Sequence, residues 1–146
     1  NQLTGEYNNT IDDKGRLSFP TKLRTAVPGN VLMVTKGSDR CLWLFTADEW
    51  EAFESKMMSN ASPLKSKSMQ VVRHFIAPAQ PVEVDQNGRL SIPQSLRECA
   101  NRSKDCTVLG VAKFIELWDA STYKNYLAES EESFREAAED FNDINF

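Results

Sequence analysis

The chain has 146 residues, 40% hydrophobic and 26% charged, with a formal net charge of −4, which suits a globular protein with one core or two small ones sharing a face. No apolar run approaches the roughly eighteen residues of a membrane helix, and the opening NQLTGEYNNT lacks the basic start and apolar stretch of a signal peptide, so neither a membrane nor an exported protein is expected. The acidity is local: Asp119 to Phe146 holds two basic and eight acidic residues, whereas Lys14 to Arg40 holds six basic residues against Asp39 alone, so a basic surface is compatible with net acidity.

In chain order, an extended segment leads to a tight turn at Gly15, a strand GRLSF, and a short helix opened by Pro20, whose missing N–H costs nothing in a first turn. Strands Val31 to Thr35 and Cys41 to Phe45 follow, bounded by Gly37. Thr46-Ala-Asp-Glu49 is a capping box that starts a helix with Trp50, Phe53 and Met57 on one face. Asn60 to Ser66 reads as a loop, and Ser68 to Ile76 as a helix with Met69, Val72 and Ile76 inward. The pattern then recurs. A turn at Asn87-Gly88, the strongest short hairpin signal, precedes GRLSI and a helix opened by Pro93. Strands Cys106 to Leu109 and Phe114 to Trp118, bounded by Gly110, lead to a helix capped by Asp119. That helix carries Tyr123, Leu127, Phe134, Ala138 and Phe141 as one apolar stripe through an acidic tail.

The recurrence is a repeat. IDDKGRLSFPTKLR (Ile11 to Arg24) lies over VDQNGRLSIPQSLR (Val84 to Arg97) without a gap, at an offset of 73 residues. Asp12/Asp85, Gly15/Gly88, Arg16/Arg89, Leu17/Leu90, Ser18/Ser91, Pro20/Pro93, Leu23/Leu96 and Arg24/Arg97 are identical, and Gly37/Gly110, Leu44/Leu117 and Ala47/Ala120 keep the register. A unit of this size with four short strands buries its own strands poorly, so the copies are expected to pack together as one pseudo-two-fold α+β module. The expected division is residues 1–59 for the first copy, 60–78 for a structured helical linker, and 79–146 for the second copy with its longer acidic helix.

The residues argue against catalysis. His74 is the single histidine, and it sits in a helix where a structural role outweighs that of a base or ligand. Cys41, Cys99 and Cys106 show no metal-binding spacing and read as reduced core thiols. No nucleophile elbow, P-loop or dinucleotide fingerprint occurs. No enzyme, cofactor, metal or small-molecule substrate is therefore expected.

The informative group is Asp-x-x-Gly-Arg, present at both turns. Across a three-residue loop Asp12 faces Arg16, and Asp85 faces Arg89, within reach of a bidentate ion pair. One meaning is a turn-locking surface pair of little energetic weight. The other is a guanidinium held at a hairpin tip, where its planar fork matches guanine O6 and N7 in a major groove. Gly15 and Gly88 allow the turns. Lys14 and Lys22 add phosphate-seeking charge to the first copy, where the second has Asn87 and Ser95. Arg24 is a further DNA-contact candidate, although for it and Arg97 packing of the stems is the favoured role.

These residues, with TGEYNNTIDDKGRLSFP, CLWLFTADEWEAFE, VDQNGRLSIPQSLR and IELWDASTYKNYLAESEE, resemble the MraZ family of bacterial transcriptional regulators over nearly the whole chain. The resemblance implies two tandem AbrB-like units forming a swapped-hairpin β-barrel flanked by helices. It also implies a cytoplasmic, nucleoid-associated regulator of the division and cell-wall gene cluster that includes its own gene. Such a regulator binds short direct repeats in double-stranded DNA as a closed ring of identical subunits. The family's DNA-contacting arginine falls on Arg16, and its repeat on Arg89, with Asp12 and Asp85 in support. Trp43, Trp50, Phe53 and Trp118 are candidates for ring contacts, though the core suits them better. The alternative is an AbrB-like assembly or antitoxin-type module that binds a protein partner through its barrel and acidic helix.

Overall fold

A computed structural model describes residues 2–100 and 103–142, with the side chains of Cys99, Ala100 and Asn142 outside that description. The protein is mixed α+β. A six-stranded antiparallel sheet runs in the order β1 (Leu3–Thr10), β7 (Asp105–Ala112), β8 (Ile115–Asp119), β4 (Leu42–Phe45), β3 (Val31–Lys36), β5 (Gln80–Glu83). A separate two-stranded ribbon pairs β2 (Arg16–Ser18) with β6 (Arg89–Ser91). The helices are α1 (Thr21–Arg24), α2 (Ala47–Asn60), α3 (Ser66–Phe75), α4 (Gln94–Ala100), α5 (Ala120–Glu129) and α6 (Glu131–Asn142).

The strand register carries the repeat into three dimensions. Leu42 pairs with Leu117 and Leu44 with Ile115, which exchanges equivalent positions, while Trp43 lies opposite its own equivalent, Glu116. Within the ribbon Arg16 pairs with Ser91 and Ser18 with Arg89, and Leu17 lies opposite its own equivalent, Leu90. A pseudo-two-fold axis therefore passes through both places. Outer strands cross between copies: β1 pairs with β7 of the second copy, and β5 with β3 of the first.

One face of the sheet carries the aliphatic core. Leu42, Leu44, Ile115 and Val34 pack with Leu17 and Leu90 from the ribbon and with Leu23 and Leu96 from α1 and α4, all at most 3% exposed. On the other face Trp43 stacks on Phe75 at 5.1 Å and Phe45 on Phe53 at 4.9 Å, which seats α2 and α3. Trp118 is buried against Tyr123 and Tyr126 of α5. Trp50 and Trp118 are thus core residues, and the part-buried Trp43 and Phe53 belong to the aromatic cluster, so all four are engaged within the chain.

Several expected boundaries move for identifiable reasons. Gly110 does not end its strand, because β7 continues to Ala112; Gly110 faces Gly5 there, and a Cβ on it would strike the Thr4 backbone at 2.7 Å. The tail is two helices instead of one: Ser130 leaves the helical conformation (φ −101°, ψ 8°), and its hydroxyl bonds back to the Tyr126 carbonyl at 2.6 Å. The Thr46 box is half made, with Oγ1 accepting from the Glu49 amide at 3.5 Å. Asp119 is a full cap, taking the Thr122 amide at 3.1 Å. Cys41 and Cys106 are buried thiols, and burial pushes Cys106 up to about 11 and Cys41 higher still. The expectation for the Cys99 thiol lies outside the described residues.

Candidate nucleic-acid interface

The ribbon has a buried face and an open face. Period-two alternation sends Leu17 and Leu90 into the core at 0% exposure, so Arg16, Ser18, Arg89 and Ser91 share the solvent side. Because the strands are antiparallel, Arg16 and Arg89 are diagonal neighbours across the pseudo-two-fold axis.

Asp12 organises the first turn. Its Oδ1 accepts from the amides of Lys14 and Arg16, each at 2.9 Å, and its Oδ2 accepts from Arg16 Nε at 2.7 Å. The turn closes with the Gly15 amide on the Asp12 carbonyl at 3.0 Å, and Gly15 takes φ +79°. The Arg16 amide, opposed by partial burial, holds the Asp12 carboxyl below the usual carboxylate range. One tooth of the Arg16 fork is therefore engaged, and neither Nη group has a hydrogen-bond partner among the described residues.

The second turn repeats the backbone part and keeps the side-chain pair only in a looser form. Asp85 Oδ1 accepts from the Asn87 amide at 2.8 Å and the Arg89 amide at 2.9 Å, which sets its carboxyl below the usual range. The expected Asp85–Arg89 ion pair is present but long, with Nε 4.0 Å from Oδ2 and no side-chain hydrogen bond between them. Arg89 also places Nη1 3.9 Å from Asp12 Oδ2, and its buried Nε has no hydrogen-bond partner among the described residues. The diagonal pairing is the cause: it brings Arg89 as close to the first copy's carboxylate as to its own, so one aspartate steers two guanidiniums.

The remaining predicted residues divide by role. Lys14 is exposed at the turn tip and Lys22 on α1. Arg24 reaches the other copy's turn, donating to the Asp85 carbonyl at 3.3 Å, and Arg97 answers across the axis, lying over Gly15 and donating to the Ile92 carbonyl at 3.0 Å. The Phe19 amide bonds the Gly88 carbonyl at 2.9 Å, and the Ile92 amide the Gly15 carbonyl at 2.8 Å. Each turn is thus clamped by the opposite copy. His74 holds its ring against the Gly37 carbonyl at 2.7 Å, a structural role.

Sequence reasoning missed Ser18, Ser91 and Lys104. The serines follow their arginines by two residues in a strand, so their shared face was legible. Lys104 was not. It enters because β1–β7 pairing sets Thr10 against Asp105, which leaves Lys104 Nζ 3.9 Å from Asp13 Oδ1 beside the ribbon. Among the described residues no helix is long and apolar enough to span a membrane, and no cluster of three or more His, Cys, Asp or Glu side chains could hold a metal ion.

Fold and site together define a duplicated βα protein whose two copies contribute one strand each to a shared arginine ribbon. Residues 3–72 and 75–145 each match the family described as "MraZ protein, putative antitoxin-like". The chain is 54% identical over 144 residues to a protein of Treponema denticola named Transcriptional regulator MraZ, covering 99% of this chain and all of that one. It is 44% identical over 144 residues to a protein of the same name from Treponema pallidum, covering 99% of this chain and 97% of that one. The chain belongs to the MraZ family.

Proposed function

We propose that the protein is a sequence-specific DNA-binding transcriptional regulator and that the β2–β6 ribbon is its reading element. One observation carries this: Arg16 and Arg89 stand side by side on the open face of a two-stranded ribbon, with Asp12 between them. The major groove of B-DNA, about 12 Å wide, admits such a ribbon, and a guanidinium with free Nη groups presents the donors that guanine O6 and N7 accept. Lys14 and Lys22 supply phosphate contacts, while Arg24, Gly15, Gly88 and Asp85 keep the turns in shape. The hairpins exchanged between copies close as a swapped AbrB-like barrel. Residues 1–59 and 79–146 then fold as one module bridged by 60–78.

Aspartates 12, 13, 85 and 105 dilute the positive charge around the ribbon, so a single subunit binds weakly. Several subunits in a closed ring, each on one of a set of short direct repeats, convert weak contacts into useful affinity. The targets are the repeats upstream of the division and cell-wall cluster containing the protein's own gene, which places the protein in the cytoplasm on the nucleoid.

The test is fluorescence anisotropy on a promoter fragment with direct repeats against a scrambled fragment of equal length, across a salt series. Arg16→Ala is expected to lose most of the discrimination, by about 1–3 kcal/mol per guanine contact. Lys14→Ala weakens both fragments alike and lowers the salt slope by about one. Equal wild-type affinity for both fragments at physiological salt contradicts the reading.

A further inference from the structure

Nine large hydrophobic side chains are exposed among the described residues, and seven of them fall on two pairs of consecutive helices and the turns joining them. One patch lies on α5 and α6: Tyr126, Leu127 (50% exposed), Phe134 (68%) and Phe141 (57%). The other lies on the elbow from the end of α2 through α3: Met58 (49%), Leu64 (97%) and Val71 (48%). An isolated exposed apolar residue needs no explanation, but Tyr126, Leu127 and Phe134 line one groove together, and Leu64 is almost wholly exposed.

Their charges are opposite. Residues 129–142 carry six acidic side chains and one basic, and that one, Arg135, is held by Glu131 at 3.1 Å. Residues 56–75 carry Lys56, Lys65, Lys67 and Arg73 with no acidic residue at all. Two copies of the acidic patch repel each other, as do two copies of the basic one, so a two-fold interface of either patch with itself is disfavoured. Acidic on basic is the attractive arrangement, and between copies it is head-to-tail, which closes into a ring or runs on as a filament.

The repeat explains why the acidic patch is free. In the first copy the chain turns after α2 and α3 folds back on the sheet, burying Val72 and receiving the Thr35 hydroxyl on the Phe75 carbonyl at 2.5 Å. After α5 the second copy has α6 instead, and every described α6 side chain except Ala138 is exposed.

We propose that the acidic apolar face of α5–α6 docks on the basic α2–α3 elbow of a second copy of this chain. The proposal rests on the self-assembly in the function proposed above and assigns the surfaces that make it.

Sedimentation equilibrium of the full chain tests it, with circular dichroism as a fold control. Glu136→Lys with Glu139→Lys, and separately Lys65→Glu with Lys67→Glu, should each reduce the mass to that of one chain. An equimolar mixture of the two variants should regain the wild-type mass, because each reversed patch then meets its complement. Phe134→Ser and Leu64→Ser alter only exposed side chains, and each should weaken assembly at least tenfold in concentration. Wild-type mass surviving both charge reversals overturns this contact and leaves self-assembly standing. A wild-type protein that stays single at all concentrations overturns both. Reversals that expand the chain without changing its mass assign α6 to its own elbow and also overturn the proposal.

Discussion

Asp12 binds two amides with one carboxylate oxygen and steers two guanidiniums with the other. Asp12→Asn separates these tasks. The amide oxygen still accepts from Lys14 and Arg16, but an NH2 group replaces the acceptor facing Arg16 Nε, so the fold should persist while the arginines lose their orientation. Binding discrimination should fall several-fold, and the thermal midpoint should move by no more than a few degrees. Asp119 shows the stabilising use of the same side chain. Burial pushes its carboxyl up, but hydrogen bonds from Ser103, Thr122 and Ser121 outweigh that and hold it at about 2, against 3.8 ordinarily. A lowered folded value means stability present above about pH 4 and lost as pH falls toward 2. The Asp119→Ala variant should therefore be less stable than wild type by about 1–2 kcal/mol at neutral pH. Urea midpoints should show the gap narrowing as the solution approaches pH 2. The Asp12–Arg16 pair was legible from spacing alone. The second contact of Arg89, with Asp12, was not, because it depends on which strands pair.

At the scale of elements, the two turns look alike in sequence and differ in their surroundings. Gly15 and Gly88 share a positive φ, but a Cβ on Gly15 would overlap the Arg97 guanidinium, whereas one on Gly88 meets only Arg24 Nη1 at 3.1 Å. Gly15→Ala should cost more stability than Gly88→Ala, a comparison that chemical denaturation reads directly. The contrast was invisible beforehand, since arginines 24 and 97 reach across to the other copy. Strands and helices bounded by glycine, proline and caps were read nearly in place: α3 was expected from Ser68 to Ile76 and runs from Ser66 to Phe75. Where the reading failed, tertiary contact decided. Gly110 continues a strand because a backbone lies against it, and a helical apolar stripe looks the same in sequence whether its own core or another molecule covers it.

For the whole molecule, duplication matters most where the axis passes. Glu116 takes Trp43 Nε1 at 3.1 Å on one oxygen and Trp118 Nε1 at 3.0 Å on the other, tying β4 and β8 together at the centre of the sheet. Glu116→Ala leaves both part-buried indole N–H groups unpaired and should destabilise by about 1–3 kcal/mol for each, with Glu116→Gln milder because one acceptor remains. Unfolding should also be a single transition by tryptophan fluorescence and circular dichroism, since strands exchanged between copies leave neither half its own sheet. The offset of 73 residues announced the symmetry, but not the exchange, because nothing in a strand's own sequence names its partner.

The proposed function requires a guanidinium at the ribbon to read a base edge. The direct measurement is a double cycle: wild type and Arg16→Ala, each titrated at fixed salt against operator DNA carrying guanine or 7-deazaguanine, which lacks the N7 acceptor. Wild type should lose at least fivefold in affinity on the modified DNA, while Arg16→Ala should lose markedly less. Equal losses for both proteins would mean that Arg16 does not touch that atom.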